Sequence, residues 1–181
     1  MTTPARVAVI GVGNEFRHDD GIGPRLIAEL TGKVPAGVRL VVSDGEPAGL
    51  LDAWDGADLV ILVDAVVSEV VGEVASEVAG EVVTEPSTPG RMHRTSLERD
   101  MLGGDAAPDP LLTPAGGAPS SHGLGIPEAV ALGRALGRLP SRLIVYAVEA
   151  ADVDLGPGLS AEVAATLPDL VDSVFAELPQ P

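Results

Sequence analysis

The chain has 181 residues, 45% of them hydrophobic but only 2% aromatic, which suits one domain with a core of Val, Leu, Ile and Ala. Its 27 acidic and 11 basic residues give a formal charge of −16, so an electrostatically driven nucleic-acid or anionic-membrane partner is not expected, and a protein or a cation is. There is no cysteine, which excludes disulfides, thiolate metal sites and thiol nucleophiles and leaves oxygen and imidazole as ligands.

The N-terminal MTTPARVAVIG carries one basic residue and a short apolar run ending in glycine. It lacks the length and flanks of a signal peptide or membrane span, so the expected location is cytoplasmic, without membrane insertion. Residues 7–10 are a β-branched run closed by Gly11-Val12-Gly13-Asn14, as in a buried first strand that ends in a tight turn. After a polar loop over 15–20, Ile22, Leu26, Ile27 and Leu30 recur at helical spacing, with Pro24 near the start. Residues 38–42 read as a second strand, followed by the turn Ser43-Asp44-Gly45-Glu46-Pro47 and a short helix over 50–54. The unbroken run Leu59-Val60-Ile61-Leu62-Val63 before Asp64 is the pattern of a central strand buried on both faces.

Between 68 and 82 a four-residue Glu-Val unit repeats, and 105–121 is rich in Pro, Ala and Gly. Both read as parts of an accessory insertion around 68–121 within a single domain spanning 1–181. Residues 126–139 form a helix with Ala129, Leu132, Gly133 and Leu136 on one face, and 143–148 the next strand. Ser160 can cap a last helix whose Val163, Leu167, Val171, Val174 and Leu178 face inward, with Pro168 expected to kink or split it. Alternating strands and helices predict an α/β fold: three layers, with a mostly parallel twisted sheet of about five strands and helices on both faces.

Such sheets bind ligands at the carboxyl ends of strands that flank a topological switch point. If the first strand and the strand ending at Asp64 are neighbours with connections on opposite faces, the site lies between the loop 11–20 and Asp64. Asp64 then either bonds the amides of the next turn or meets a donor or cation in that site. Asp19 and Asp20 have two readings as well, as site residues or as acids favoured at a helix N-terminus. His122, in Ser120-Ser121-His122-Gly123-Leu124-Gly125, is either a solvated histidine or a site residue. His18 shares the loop of Asp20 and could be a secondary ligand, whereas His93, among Arg91, Met92 and Arg94, reads as an exposed strand residue. Gly11-Val12-Gly13 is a poor dinucleotide fingerprint, because Phe16 stands where the third glycine belongs and the helix begins late.

Three separated segments, Gly11-Val12-Gly13-Asn14 with Asp19-Asp20-Gly21-Ile22-Gly23, Val63-Asp64-Ala65-Val66, and Ser121-His122-Gly123-Leu124-Gly125, resemble, in order, the motifs of the nickel–iron hydrogenase maturation proteases. The resemblance implies an endopeptidase that removes the C-terminal extension of a nickel-loaded hydrogenase large-subunit precursor. It implies that Asp20, Asp64 and His122 are the metal ligands and catalytic residues, that the nickel is carried by the substrate, and that Asn14, Asp44 and Gly45 contact that substrate. The chain departs from the family's pattern where Glu46 replaces a second glycine after Asp44-Gly45, and in the long interval between Asp64 and His122. A non-catalytic nickel-sensing chaperone of the same large subunit would use the same three residues without cleavage.

Overall fold

The computed structural model of the chain describes residues 6–67, 87–99 and 125–179. The opening apolar run forms β1 (Val7–Val12), with every residue buried. Parallel to it lie β2 (Val38–Ser43) on one side and β3 (Leu59–Val66) on the other. β4 (Met92–Glu98) is the far edge, antiparallel to β5 (Arg142–Glu149), which itself runs parallel to β3. The sheet order is therefore β2-β1-β3-β5-β4. The expected α/β class and five-stranded, mostly parallel sheet are both present, and β4, inside the interval read as accessory, is an integral edge strand.

Helices cover both faces. α1 (Ile22–Leu30) lies on one face together with α4 (Ala161–Glu177), over Val9, Ile61, Val63, Ile144 and Val148. α2 (Pro47–Trp54) and α3 (Gly125–Leu136) lie on the other, over Ile10, Leu62 and Val145. A helix of nine residues such as α1 is marginal alone. What holds it is its inward stripe of Ile22, Leu26, Ile27 and Leu30, each contributing about 1.5–3 kcal/mol when removed from water. α1 also crosses β1 at a contact only glycine permits: a Cβ on Gly11 would lie 2.2 Å from the Gly23 carbonyl oxygen, and one on Gly23 would lie 2.3 Å from that of Val12.

Two helix expectations are corrected. The buried face of α3 is Ile126, Ala129, Val130 and Gly133, while Leu132 and Leu136 are exposed. The helix is rotated so that Gly133 meets Leu51 and Trp54 of α2, where a Cβ would already be in contact. Pro168 does not split the last helix, which runs unbroken through Glu177. A proline inside a helix costs about 3 kcal/mol, but Val163 before it and Leu170 and Val174 after it are fully buried in one core, and at about 1.5–3 kcal/mol each they outweigh that cost. Ser160 caps this helix as expected, its Oγ accepting from the Val163 amide at 3.4 Å. No helix among the described residues is long and apolar enough to cross a membrane. The Glu-Val repeat, the Pro/Ala/Gly-rich stretch and His122 lie outside the described residues.

Candidate functional site

β1 connects through α1 to β2, and β2 connects through α2 back across to β3 on the other side of β1. The two helices lie on opposite faces, so the carboxyl ends of β1 and β3 part at a switch point, the place where open α/β sheets bind ligands. The turn after β1 is tightly built. Gly13 has φ +128°, and a Cβ there would lie 1.9 Å from the Asp20 carbonyl oxygen. The Asn14 amide donates to Asp20 Oδ2 at 2.9 Å, and the 3₁₀ turn His18–Gly21 that carries Asp20 packs against β3. Asp20 is 3% exposed and Asp64, near the end of β3, 2%. The structure thus brings these two carboxylates to the same switch point, both withdrawn from water.

The neighbouring Asp19 has a different role. Its Oδ2 accepts from the amides of Ala151 and Asp152 at 2.9 and 3.1 Å, and its Oδ1 from that of Ser160 at 2.6 Å. It is a latch between the first turn and the loop after β5. His18 belongs to the same latch: it has φ +43°, its Nδ1–H donates to the Gly158 carbonyl at 3.2 Å, and its ring stacks where a Cβ on Gly156 would stand 2.1 Å from Nε2. A groove of about 580 Å³ lined by Phe16, His18, Arg25 and Leu167 follows this side of the molecule and includes neither Asp20 nor Asp64.

Of the residues expected to meet substrate, Asn14 is exposed, and its side-chain oxygen accepts from the Phe16 amide at 3.0 Å. Asp44 is exposed and accepts from the Glu46 amide at 3.1 Å. Gly45 is buried, because the start of α3 rests on it: a Cβ on Gly125 would lie 1.7 Å from the Gly45 carbonyl oxygen. Glu46, the departure from the family's pattern, caps α2 through the Ala48 amide at 3.1 Å, so a local structural need accounts for the residue found there. Among the described residues no three His, Asp or Glu side chains form a set that could hold a metal ion.

Sequence reading missed a third acid on the same edge of the sheet. Glu149 ends β5 and is 1% exposed. It accepts from the Thr88 amide, from Ser87 Oγ at 3.1 Å and from His93 Nε2 at 2.6 Å. Burial pushes its carboxyl up, but the bonds from His93, Thr88 and Ser87 outweigh this and hold it below the usual glutamate range. His93 is therefore on a strand, as read, but paired and mostly covered, not exposed. A signal was available: both Leu59–Val63 and Leu143–Val148 are apolar runs closed by an acid.

No protein-family model matches the sequence, and no curated protein matches it. Solved structures do. The hydrogenase maturating endopeptidase HybD from E. coli is 23% identical, with 94% of this chain and 90% of that chain covered and a TM-score of 0.67. The NiFe hydrogenase maturation protease HybD from Thermococcus kodakarensis is 22% identical over 94% and 97% of the two chains, with a TM-score of 0.63. HycI from Thermococcus kodakarensis, also a NiFe hydrogenase maturation protease, is 18% identical over 97% and 93%, with a TM-score of 0.59. Over nearly all of its length, this chain has the fold of those hydrogenase maturation endopeptidases.

Proposed function

We propose that this chain is a cytoplasmic endopeptidase that removes the C-terminal extension of a nickel-loaded nickel–iron hydrogenase large-subunit precursor, and that the nickel enters the site as part of that substrate. The observation that carries this reading is the pair of buried carboxylates, Asp20 and Asp64, at the switch point of a fold shared with such proteases. Each carboxylate stands in a segment whose sequence resembles that family's. His122 supplies the third group of the resemblance.

Two carboxylates and an imidazole are a mixed oxygen and nitrogen set that suits a borderline divalent ion. They would anchor the precursor through its nickel and leave one carboxylate to take a proton from water as its oxygen attacks the scissile carbonyl. The proton then passes to the leaving amine as the C–N bond breaks.

The test is to incubate the purified chain with nickel-loaded and nickel-free precursor and read the large subunit's C-terminus by mass spectrometry. Shortening of the loaded form alone is expected, lost in Asp64→Asn and in His122→Ala while both variants keep the wild-type melting temperature within a few degrees. A wild type that binds the loaded precursor but leaves it uncut would make the chain a nickel-sensing chaperone and overturn the proteolytic reading.

A further inference from the structure

Arg25 stands apart among the cations of this chain. Every other Lys and Arg side chain has an acid, a main-chain carbonyl or another group of the chain as its partner. Arg25, exposed on α1, has none among the described residues, although acids outnumber bases 27 to 11. It lines the groove of about 580 Å³ between α1, α4 and the loop after β5. Glu15 also lines it, and its lack of a counter-ion among the described residues is the ordinary result of the acid surplus; an unpaired guanidinium is not.

The same groove holds an aromatic ring that the core does not use. The chain has two Phe, one Trp and one Tyr. Trp54 and Tyr146 are buried and Phe175 packs against the core, whereas Phe16 is 65% exposed. Its backbone is fixed nonetheless. The Phe16 amide donates to Asn14 Oδ1 at 3.0 Å, its carbonyl accepts from the Gly156 amide at 2.9 Å, and the His18 amide donates to the Gly156 carbonyl at 2.8 Å. A ring displayed on a backbone already ordered loses little freedom when something binds to it. The surface around it is open, for Ala28 and Ala164 of the lining are exposed as well.

Aromatic rings and arginines are the side chains that protein interfaces concentrate. The apolar lining, with Phe16, Pro24 and Leu167, fits an apolar side chain, and the free guanidinium of Arg25 fits a carboxylate beside it. A second copy of this chain is a poor occupant, because two molecules of formal charge −16 repel. We propose that the groove is a docking site for the large-subunit precursor, where an apolar side chain of the precursor packs on Phe16 and a neighbouring carboxylate pairs with Arg25. This rests on the proteolytic reading above and deepens it by naming a second place where the substrate is held. The groove includes neither Asp20 nor Asp64, so docking there leaves both acids to the tail.

Cleavage kinetics on nickel-loaded precursor test it. Phe16→Ala and Arg25→Glu are each expected to raise KM about tenfold with kcat within about twofold, the signature of lost binding away from the chemistry, and to melt with the wild type because both side chains are exposed. Arg25→Lys keeps the charge and should hold KM nearer the wild-type value. Leu136→Ala removes a 55% exposed apolar side chain from α3, on the other face of the sheet, and is expected to leave KM unchanged. Wild-type KM in Phe16→Ala and Arg25→Glu, with the wild type active, would overturn the docking site and leave the proteolytic reading intact. So would an equal rise in KM in Leu136→Ala, or a wild-type dimer in sedimentation that Phe16→Ala dissociates, which would seat a second copy in the groove. A wild type that cleaves no precursor would overturn both readings.

Discussion

Two buried carboxylates tie loops to the carboxyl edge of this sheet, and they differ in their donors. On the β1 side, Asp19 takes three backbone amides from the loop after β5. On the β4 side, Glu149 takes one amide, one hydroxyl and one imidazole. Backbone amides carry no titrating proton and cannot turn toward a ligand, so in the first cluster the donors of Asp19 itself only hold the fold, and the imidazole of that latch, His18, bonds the Gly158 carbonyl and not the acid. The second also holds the fold, since it anchors the turn leading into β4, but it includes a ring with a second nitrogen. The two acids thus differ in whether a titratable side chain is among their hydrogen-bond donors, decided by what sits opposite each. Asp20 lies one residue from Asp19 and stands at the switch point, where the proposed function places the site, so a single step along the chain separates the latch from the candidate site residue.

The largest expected effect tests whether Asp19 is purely structural. Asp19→Ala leaves three amides without their acceptor, and at about 1 kcal/mol or more each the loss is about 3 kcal/mol, or about 6–12 °C in Tm for a chain of this size. Calorimetry at neutral pH measures it, and a variant that melts with the wild type would remove the distinction between the two clusters.

A smaller, pH-dependent effect belongs to Glu149. Its carboxyl is held below the ordinary 4.5, so the native state favours the ionised form. Its stabilisation is complete above the unfolded value and is lost as pH falls through the lowered native value. Urea titrations should find Glu149→Gln about 1–2 kcal/mol less stable than wild type at neutral pH, with the gap narrowing steadily under acid conditions. A gap that widens in acid would reverse the sign argued here. The smallest effect is that of Ser160→Ala, about 1 kcal/mol for a lost helix cap. The Ser160 amide still reaches Asp19 in that variant, so its Tm should fall well short of the loss in Asp19→Ala; equal losses would show that the cap, not the latch, holds this loop.

By itself the sequence determined the elements that carry a local period and the acid that closes the central strand. The run 59–63 demanded burial on both faces, and the stripe Ile22, Leu26, Ile27, Leu30 demanded one covered face, because apolar spacing reports directly how many sides of an element must leave water. The place of Asp64 near the end of that strand was legible for the same reason, being the first polar group beyond a buried run. Tertiary structure decided which of two adjacent acids became a latch, because the amides that fill Asp19 come from residues 132, 133 and 141 positions away. It also decided the face of α3, through the contact of Gly133 with α2, and the pairing of His93 with Glu149 across 56 residues. A local pattern encodes exposure to water; which groups meet across the sheet follows only from strand order and register.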